Sequence, residues 1–175
     1  MKLNSLQELY LEQLHDLYDA EQQIITALPK MIEEAKSSDL RNALTQHLEE
    51  TKQQATRLET IVTNMGKKVK GEKCKGMEGV LKEASDLTKS AAEDEVRDAA
   101  IIAGAQRVEH YEMAGYGTAR TYATLLGEQN AAGLLQQTLN EEKHADQKLT
   151  ELSEAINVGA AETASGVQAK GQRVA

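Results

Sequence analysis

Residues 66–93 read GKKVKGEKCKGMEGVLKEASDLTKSAAE and interrupt a chain whose apolar residues otherwise recur at the helical period. Glycine and lysine fill the first part of this stretch. A short apolar series follows at Met77, Val80, Leu81, Ala84 and Leu87. The pattern predicts a loop and then a short helix, which together make a connection too long for a hairpin between neighbouring helices.

Two long helices are predicted on each side of this connection, because apolar side chains recur there every three to four residues. The segments run from about Leu6 to Ala35, Leu40 to Met65, Glu95 to Leu126, and Ala131 to Ile156. Pro29 lies inside the first segment and is expected to kink the helix without ending it. Ser37-Ser38-Asp39 supplies a break and a candidate N-cap before the second segment, and Gly66 and Gly127 follow the second and third segments.

Two long helices, a long connection and two more long helices predict an all-α four-helix bundle with one crossover connection. This connectivity is typical of the ferritin-like class, whereas four short loops would indicate a simple up-and-down bundle. We expect residues 1–157 to form this single domain. Residues 158–175 have no strong apolar period and are expected to form a disordered tail.

The composition excludes several other classes of protein. Lys and Arg number 20 against 28 Asp and Glu, and the resulting charge of −8 disfavours a nucleic-acid-binding surface. The absence of Trp and Phe and the single proline disfavour a β-sandwich or barrel. The single Cys74 has no partner for an intrachain disulfide. With no secretory signal and no long apolar run, the sequence predicts a cytoplasmic protein with no membrane partner.

Acidic side chains interrupt the apolar stripes of the first and third helices when residues are placed at about 100° intervals. Glu21 lies at the centre of the first stripe, and Glu112 lies at the centre of the third, with Glu109 at the edge of the same face. Tyr18 and Tyr116 lie one turn from these acids. We interpret them as tyrosines that fill space, the alternative being hydrogen bonds to ligating carboxylates.

The fourth helix presents a second choice among acids. On a helical wheel, Glu142 lies at the centre of the apolar stripe and Asp146 lies one turn further along. Glu141 and His144, which match the Glu-x-x-His spacing of metal-binding helices, point outward instead.

On the second helix the pattern is weaker. Glu50 is the acid closest to the interior, with His47 and Gln54 as its companions. We interpret His47 as a residue at the rim of the site and Gln54 as a hydrogen-bonding or surface residue.

Six acids in a dry interior would cost more than the folding free energy of a typical domain, about 5–15 kcal/mol, unless cations neutralise them. No Lys or Arg lies on the same faces of the predicted helices. Hard carboxylate oxygens suit Fe, Mn or Mg, and the sequence predicts two bound metal ions, Fe or Mn. The predicted metal ligands are Glu21, Glu50, Glu109, Glu112, Glu142 and Asp146.

Several stretches together resemble the YciE/YciF-type bacterial stress proteins of the ferritin-like superfamily. They are LYDAEQQI, HLEETKQQATRLE, CKGMEGVLKEA, EVRDAAIIAGAQRVEHYEMAGYGTAR and LLQQTLNEEKHADQKLT. The resemblance implies a rubrerythrin-like bundle, often dimeric, with a di-metal centre and a role in stress. The rubrerythrin pattern places one Glu on the first helix, matched by Glu21, and Glu-x-x-Glu on the third, matched by Glu109 and Glu112. Its Glu-x-x-His pairs on the second and fourth helices are not cleanly matched.

The resulting functional hypothesis is a carboxylate-bridged Fe or Mn protein that acts on peroxide or dioxygen, with no catalytic residues beyond the metal ligands. The sequence has no counterpart of rubrerythrin's Cys-rich domain, so an external electron donor is expected. The aliphatic core offers no obvious pocket for a larger substrate. The alternative is a non-catalytic dimeric helical stress protein whose acids are partly solvated or hold a structural metal.

Overall fold

The computed structural model describes residues 3–171, with side chains described for residues 3–162. Within that range the protein consists of α-helices without strands. The helices are α1 (Leu6–Glu34), α2 (Ser38–Asn64), α3 (Lys75–Ser90), α4 (Asp94–Leu125) and α5 (Gln129–Gly171). Four long helices and one short helix inside the long connection confirm the predicted fold class.

Local capping explains where the first long helices begin and end. The Ser5 hydroxyl accepts a hydrogen bond from the Glu8 amide at 3.1 Å, and the Ser37 hydroxyl accepts one from the Leu40 amide at 3.4 Å. Gly66 and Gly127, with φ of 68° and 80°, adopt the left-handed conformation that ends α2 and α4. Helix α1 continues through Pro29.

The predicted end of the last helix near Ile156 is wrong, because α5 continues to Gly171. Residues 158–171 are therefore helical, in contrast to the disordered tail that we expected. The segment lacks an apolar stripe; its four alanines favour a helix through intrinsic propensity, whereas its three glycines oppose it. At its beginning, a Cβ added to Gly159 would lie 3.5 Å from Glu95 Cγ, so α4 covers this part of α5. Residues 172–175 of the expected tail lie outside the described residues.

Two apolar layers occupy the interior of the bundle. The first apolar layer comprises Tyr10, Leu14, Leu17, Leu58, Ile61, Val62, Tyr116, Ala119, Ala123, Ala131, Ala132, Leu135 and Leu139. The second apolar layer comprises Ala20, Ile24, Leu28, Ala35, Leu40, Leu44, Cys74, Met77, Ile101, Ile102, Ala105, Val108 and Leu149.

The layers establish the direction of each helix. Helix α1 runs from the first apolar layer to the second, α2 returns to the first, α4 again runs from the second to the first, and α5 returns. Since α2 ends at the first layer and α4 begins at the second, the connection that contains α3 crosses the length of the bundle. The helix directions are up, down, down and up, as in ferritin-like folds.

Polar contacts attach the crossover to α1. The Asp19 carboxylate accepts a hydrogen bond from the Cys74 amide at 2.7 Å, and the Gln23 side-chain amide donates to the Cys74 carbonyl at 2.9 Å. The Cys74 thiol is buried and accepts a bond from the Met77 amide at the start of α3. These contacts place Met77 in the second apolar layer.

Close packing of α3 on α4 depends on Gly104. A Cβ added there would lie 2.5 Å from Ala84 Cβ, which forces the two helices apart. We predict that Gly104→Ala lowers the free energy of unfolding by about 1–3 kcal/mol, as overpacking does elsewhere. Gly117→Ala, on the same helix with no atom within 4 Å of an added Cβ, should instead stabilise the protein by about 0.5–1 kcal/mol. Urea unfolding followed by circular dichroism measures both, and a Gly104→Ala variant as stable as its parent would contradict the packing.

Candidate metal centre

The interior between the two apolar layers is polar. Glu21 of α1, Glu109 and Glu112 of α4, and Glu142 of α5 are each no more than 2% exposed. Glu109 and Glu112 lie one helical turn apart, so both side chains project from the same face of α4. Helix α2 adds His47, which is 7% exposed. The inward face of each long helix thus carries apolar side chains in both layers and a polar side chain at the level between the layers.

Four of these side chains converge on one point. His47, Glu109, Glu112 and Glu142 each offer a ligand atom, and these atoms all lie within 4.8 Å of one another. The His47 Nε2 atom lies 3.3 Å from Glu109 Oε1. Glu21 of α1 lies beside this group, next to Glu112, and its Oε1 accepts a hydrogen bond from the Tyr116 hydroxyl. The spacing is that of side chains arranged around a cation.

Most of the polar atoms in this group have no hydrogen-bond partner. Among the described side chains, every buried oxygen or nitrogen atom without a partner belongs to the centre, except the Tyr10 hydroxyl. The unpartnered atoms of the centre belong to Glu21, His47, Gln54, Glu109, Glu112 and Glu142. Because buried polar groups are almost always paired, so many unpaired atoms at one place indicate a missing bonding partner.

Burial changes the protonation of the centre. It raises the pKa of Glu21, Glu109 and Glu112 well above the ordinary value, and the neighbouring carboxylates raise it further. Burial likewise raises the pKa of Glu142 to about 7. The pKa of His47 falls to about 4, again because burial disfavours the charged form. Without cations, burial therefore favours the protonated form of these acids and the neutral form of the imidazole.

One basic side chain approaches the acids, contrary to our expectation from the sequence. Arg57 of α2 forms two hydrogen bonds with Glu141 of α5, at 2.5 and 2.8 Å. The side-chain amide of Gln54 donates to the same carboxylate at 3.2 Å. Arg57 lowers the pKa of Glu21 through its charge, as a minor influence beside burial. Since its guanidinium is engaged by Glu141, it does not bond to the central carboxylates.

The two other predicted ligands lie outside this group. Glu50 is half-buried, and its Oε1 accepts a hydrogen bond from the Gln46 side chain at 2.8 Å. The Asp146 side chain is 23% exposed; its Oδ1 lies 3.4 Å from His110 Nε2 and accepts from Gln106 at 3.2 Å. The structure thus brings together Glu21, Glu109, Glu112 and Glu142 of the six predicted acids.

His47 is the member of the buried group that sequence reasoning undervalued. We placed it at the rim, whereas its ring lies beside Glu109 with both nitrogen atoms unpartnered. The sequence did contain a signal for its burial. His47 lies three residues after Leu44 and four before Thr51, and so on the same apolar stripe. His144 is exposed.

The donor set fits a metal ion. Carboxylate oxygens and one imidazole nitrogen are ligands that Fe, Mn and Zn accept in proteins. A bound cation would also supply the partner that the buried oxygen atoms lack. The buried group of His47, Glu109, Glu112 and Glu142 could therefore hold a metal ion.

Among the helices described, none combines the length and the apolar character needed to cross a membrane.

Comparison with known proteins identifies close relatives. The protein YciF of Escherichia coli (strain K12) is 44% identical over 158 residues, covering 90% of this chain and 94% of YciF. The crystal structure of the E. coli stress protein YciF superposes with a TM-score of 0.85 at 42% identity, covering 88% of this chain and 98% of that structure. YcfI of Rhodopseudomonas palustris, described as a candidate structural protein, superposes with a TM-score of 0.83 at 46% identity, covering 85% and 95%.

A family model matches the same part of the chain. It spans residues 5–162, from the N-cap of α1 into α5, and includes every residue of the centre. The chain therefore belongs to the family described as Domain of unknown function (DUF892).

Proposed function

We propose that this protein is a carboxylate-rich di-metal protein, holding two Fe or Mn ions, that acts on peroxide or dioxygen during stress. The unpartnered carboxylate oxygens of Glu112 and Glu142, both fully buried between the apolar layers, carry the proposal. Unpaired carboxylates at such a position are costly unless cations neutralise them. The stress context comes from the relative YciF, which is described as a stress protein.

Residues from all four long helices hold the ions in this proposal. His47, Glu109, Glu112 and Glu142 would supply most of the ligand atoms, with Glu21 beside them. Glu50 completes the proposed set, because it lies close enough for its charge to raise the pKa of Glu142. Asp146 remains outside, bonded to Gln106.

In this proposal the protein positions the metal ligands and excludes bulk water from the centre. Two redox-active ions held by these residues would supply one electron each and would polarise the O–O bond of the substrate. Reduction of hydrogen peroxide to two water molecules consumes two electrons and two protons, so an external electron donor must restore the centre. Tyr116 holds Glu21 in place through its hydroxyl. The two apolar layers exclude bulk water above and below the centre.

A second candidate function is that of a non-catalytic helical protein. The raised pKa values of Glu112 and Glu142 favour it, since acids that keep their protons to a higher pH have less need of a metal. The description of the relative YcfI as a candidate structural protein agrees with it. Metal content and turnover distinguish the two functions.

If the centre requires metal, replacing one of its acids should have opposite effects on the stability of the metal-free and the metal-loaded protein. Glu112→Gln should raise the Tm of metal-free protein, because it removes a buried acid, and should abolish the rise in Tm that Fe or Mn produces in the parent. Elemental analysis should find about two ions per chain in the parent, the count of a di-metal bundle. Peroxide consumption by the loaded protein should fall at least 100-fold in Glu112→Gln and Glu21→Gln.

Glu83→Gln is the matched control, since Glu83 is an exposed acid on α3. It should leave metal content, Tm and peroxide consumption unchanged. Metal-replete cells that yield protein with no Fe or Mn would contradict the proposal and favour the non-catalytic function.

The pKa shifts also predict how pH changes the stability of metal-free protein. Because the folded-state pKa of these acids is raised above the ordinary value of 4.5, the native state binds more protons than the unfolded state, and stability falls as pH rises. The neutral His47 opposes this only below its ordinary pKa of 6.5. Between pH 6.5 and about pH 8, the free energy of unfolding should therefore fall, by about 1.4 kcal/mol per pH unit for each extra proton.

Urea unfolding at several pH values, with a chelator present, measures this slope. Glu112→Gln should reduce it, and Glu83→Gln should not. Stability that stays constant or rises over this range would show that the central acids are ionised without metal.

A further inference from the structure

A cleft of about 480 Å³ opens between α2 and α5 and reaches the centre. His47 and Glu109 line it, so two members of the metal-binding group face the cleft. Both side chains are more than nine-tenths buried and carry polar atoms without a hydrogen-bond partner. The sequence predicted no pocket for a substrate larger than peroxide, and this cleft corrects that expectation.

The size of the cleft exceeds what hydrogen peroxide needs. A water molecule takes about 30 Å³ of liquid volume, and pockets for organic ligands span about 300–1,000 Å³. Apolar side chains line much of the space beside His47. They are Ala43, Leu44, Ala145, Leu149 and Leu152. The cleft is thus suited to a molecule with a polar end at the centre and an apolar body along the walls.

The charged groups at the cleft exclude one class of such molecules. Asp39, Glu50 and Glu151 contribute carboxylates, and Lys148 is the lysine among the lining residues. The Lys148 ammonium group lies 3.9 Å from Glu151, which offsets its charge. An anionic amphiphile such as a fatty-acid carboxylate is therefore disfavoured relative to a neutral molecule.

We propose that the α2–α5 cleft binds a small neutral organic hydroperoxide, with its peroxide end at His47 and Glu109 and its hydrocarbon body against the leucine and alanine walls. The inference rests on the proposed function and assigns its substrate class. Reduction of the hydroperoxide ROOH to the alcohol ROH and water consumes two electrons and two protons, as does reduction of hydrogen peroxide. The external electron donor of the proposed function supplies these electrons.

Binding is tested on full-length metal-free protein with 2-phenyl-2-propanol, the alcohol formed by reduction of cumene hydroperoxide. Titration followed by NMR should produce saturable shifts at amides of α2 and α5 that line the cleft. Ala43→Leu fills the cleft from a half-buried position and should weaken binding at least 10-fold. Ala100→Leu is the matched control, at a half-buried alanine of α4 that does not line the cleft, and should leave binding unchanged.

Turnover by the metal-loaded protein supplies the second measurement. Ala43→Leu should lower kcat/KM for cumene hydroperoxide at least 10-fold and leave kcat/KM for hydrogen peroxide within about 2-fold, as expected when only the contacts of the hydrocarbon body are lost. Absence of saturable alcohol binding, or equal binding by the parent and Ala43→Leu, would overturn the inference whatever the protein does to peroxide. Alcohol binding in the cleft without turnover of any peroxide would instead contradict the proposed function while supporting the binding site.

Discussion

The free-energy cost of ionising four neighbouring buried carboxyl groups is the principal constraint on this structure. Glu21, Glu109, Glu112 and Glu142 come from three helices and meet with His47 of a fourth, between two apolar layers. An unpaired charge at such a position costs several kcal/mol, a large fraction of a domain's total stability. The protein therefore has two ways to tolerate the cluster, namely to retain protons or to bind cations. The first follows from the raised pKa values, and the second is the basis of the proposed function.

The topology explains how distant segments supply one centre. Because the crossover spans the bundle, α2 and α4 run in the same direction and α1 and α5 run in the other. Each long helix then passes once between the apolar layers and contributes its polar side chain at that level. The contacts of Asp19 and Gln23 with Cys74 hold the crossover against α1. In this arrangement the apolar layers stabilise the fold. Their burial offsets the free-energy cost of the polar side chains that lie between them.

Helical periodicity predicted much of this arrangement. Glu21, Glu112 and Glu142 are each central on an apolar stripe, and such a position is buried whenever the stripe faces the core. The stripe of α2 was less informative, because its central residue is Thr51 and the two candidates before it, His47 and Glu50, lie three residues apart, less than one helical turn. Only the packed structure shows that His47 lies in the interior while Glu50 bonds to Gln46.

Other features depend on contacts between segments that are far apart in sequence. The pairing of Arg57 with Glu141 joins α2 to α5, and no spacing within one helix indicates it. The cleft arises from the separation of α2 and α5 and has no local sequence signal. The helical continuation beyond Ile156 has a different cause, since helix propensity without an apolar period is a weak signal for a fixed boundary.

Anomalous X-ray scattering from crystals of the protein loaded with Fe or Mn tests the central claim most directly. Data collected on either side of the metal absorption edge should reveal two peaks among the carboxylates of Glu21, Glu109, Glu112 and Glu142, with His47 at the side that faces the cleft. Crystals without an anomalous peak at this position, in which the same carboxyl groups are hydrogen-bonded to one another or turned toward solvent, would contradict it.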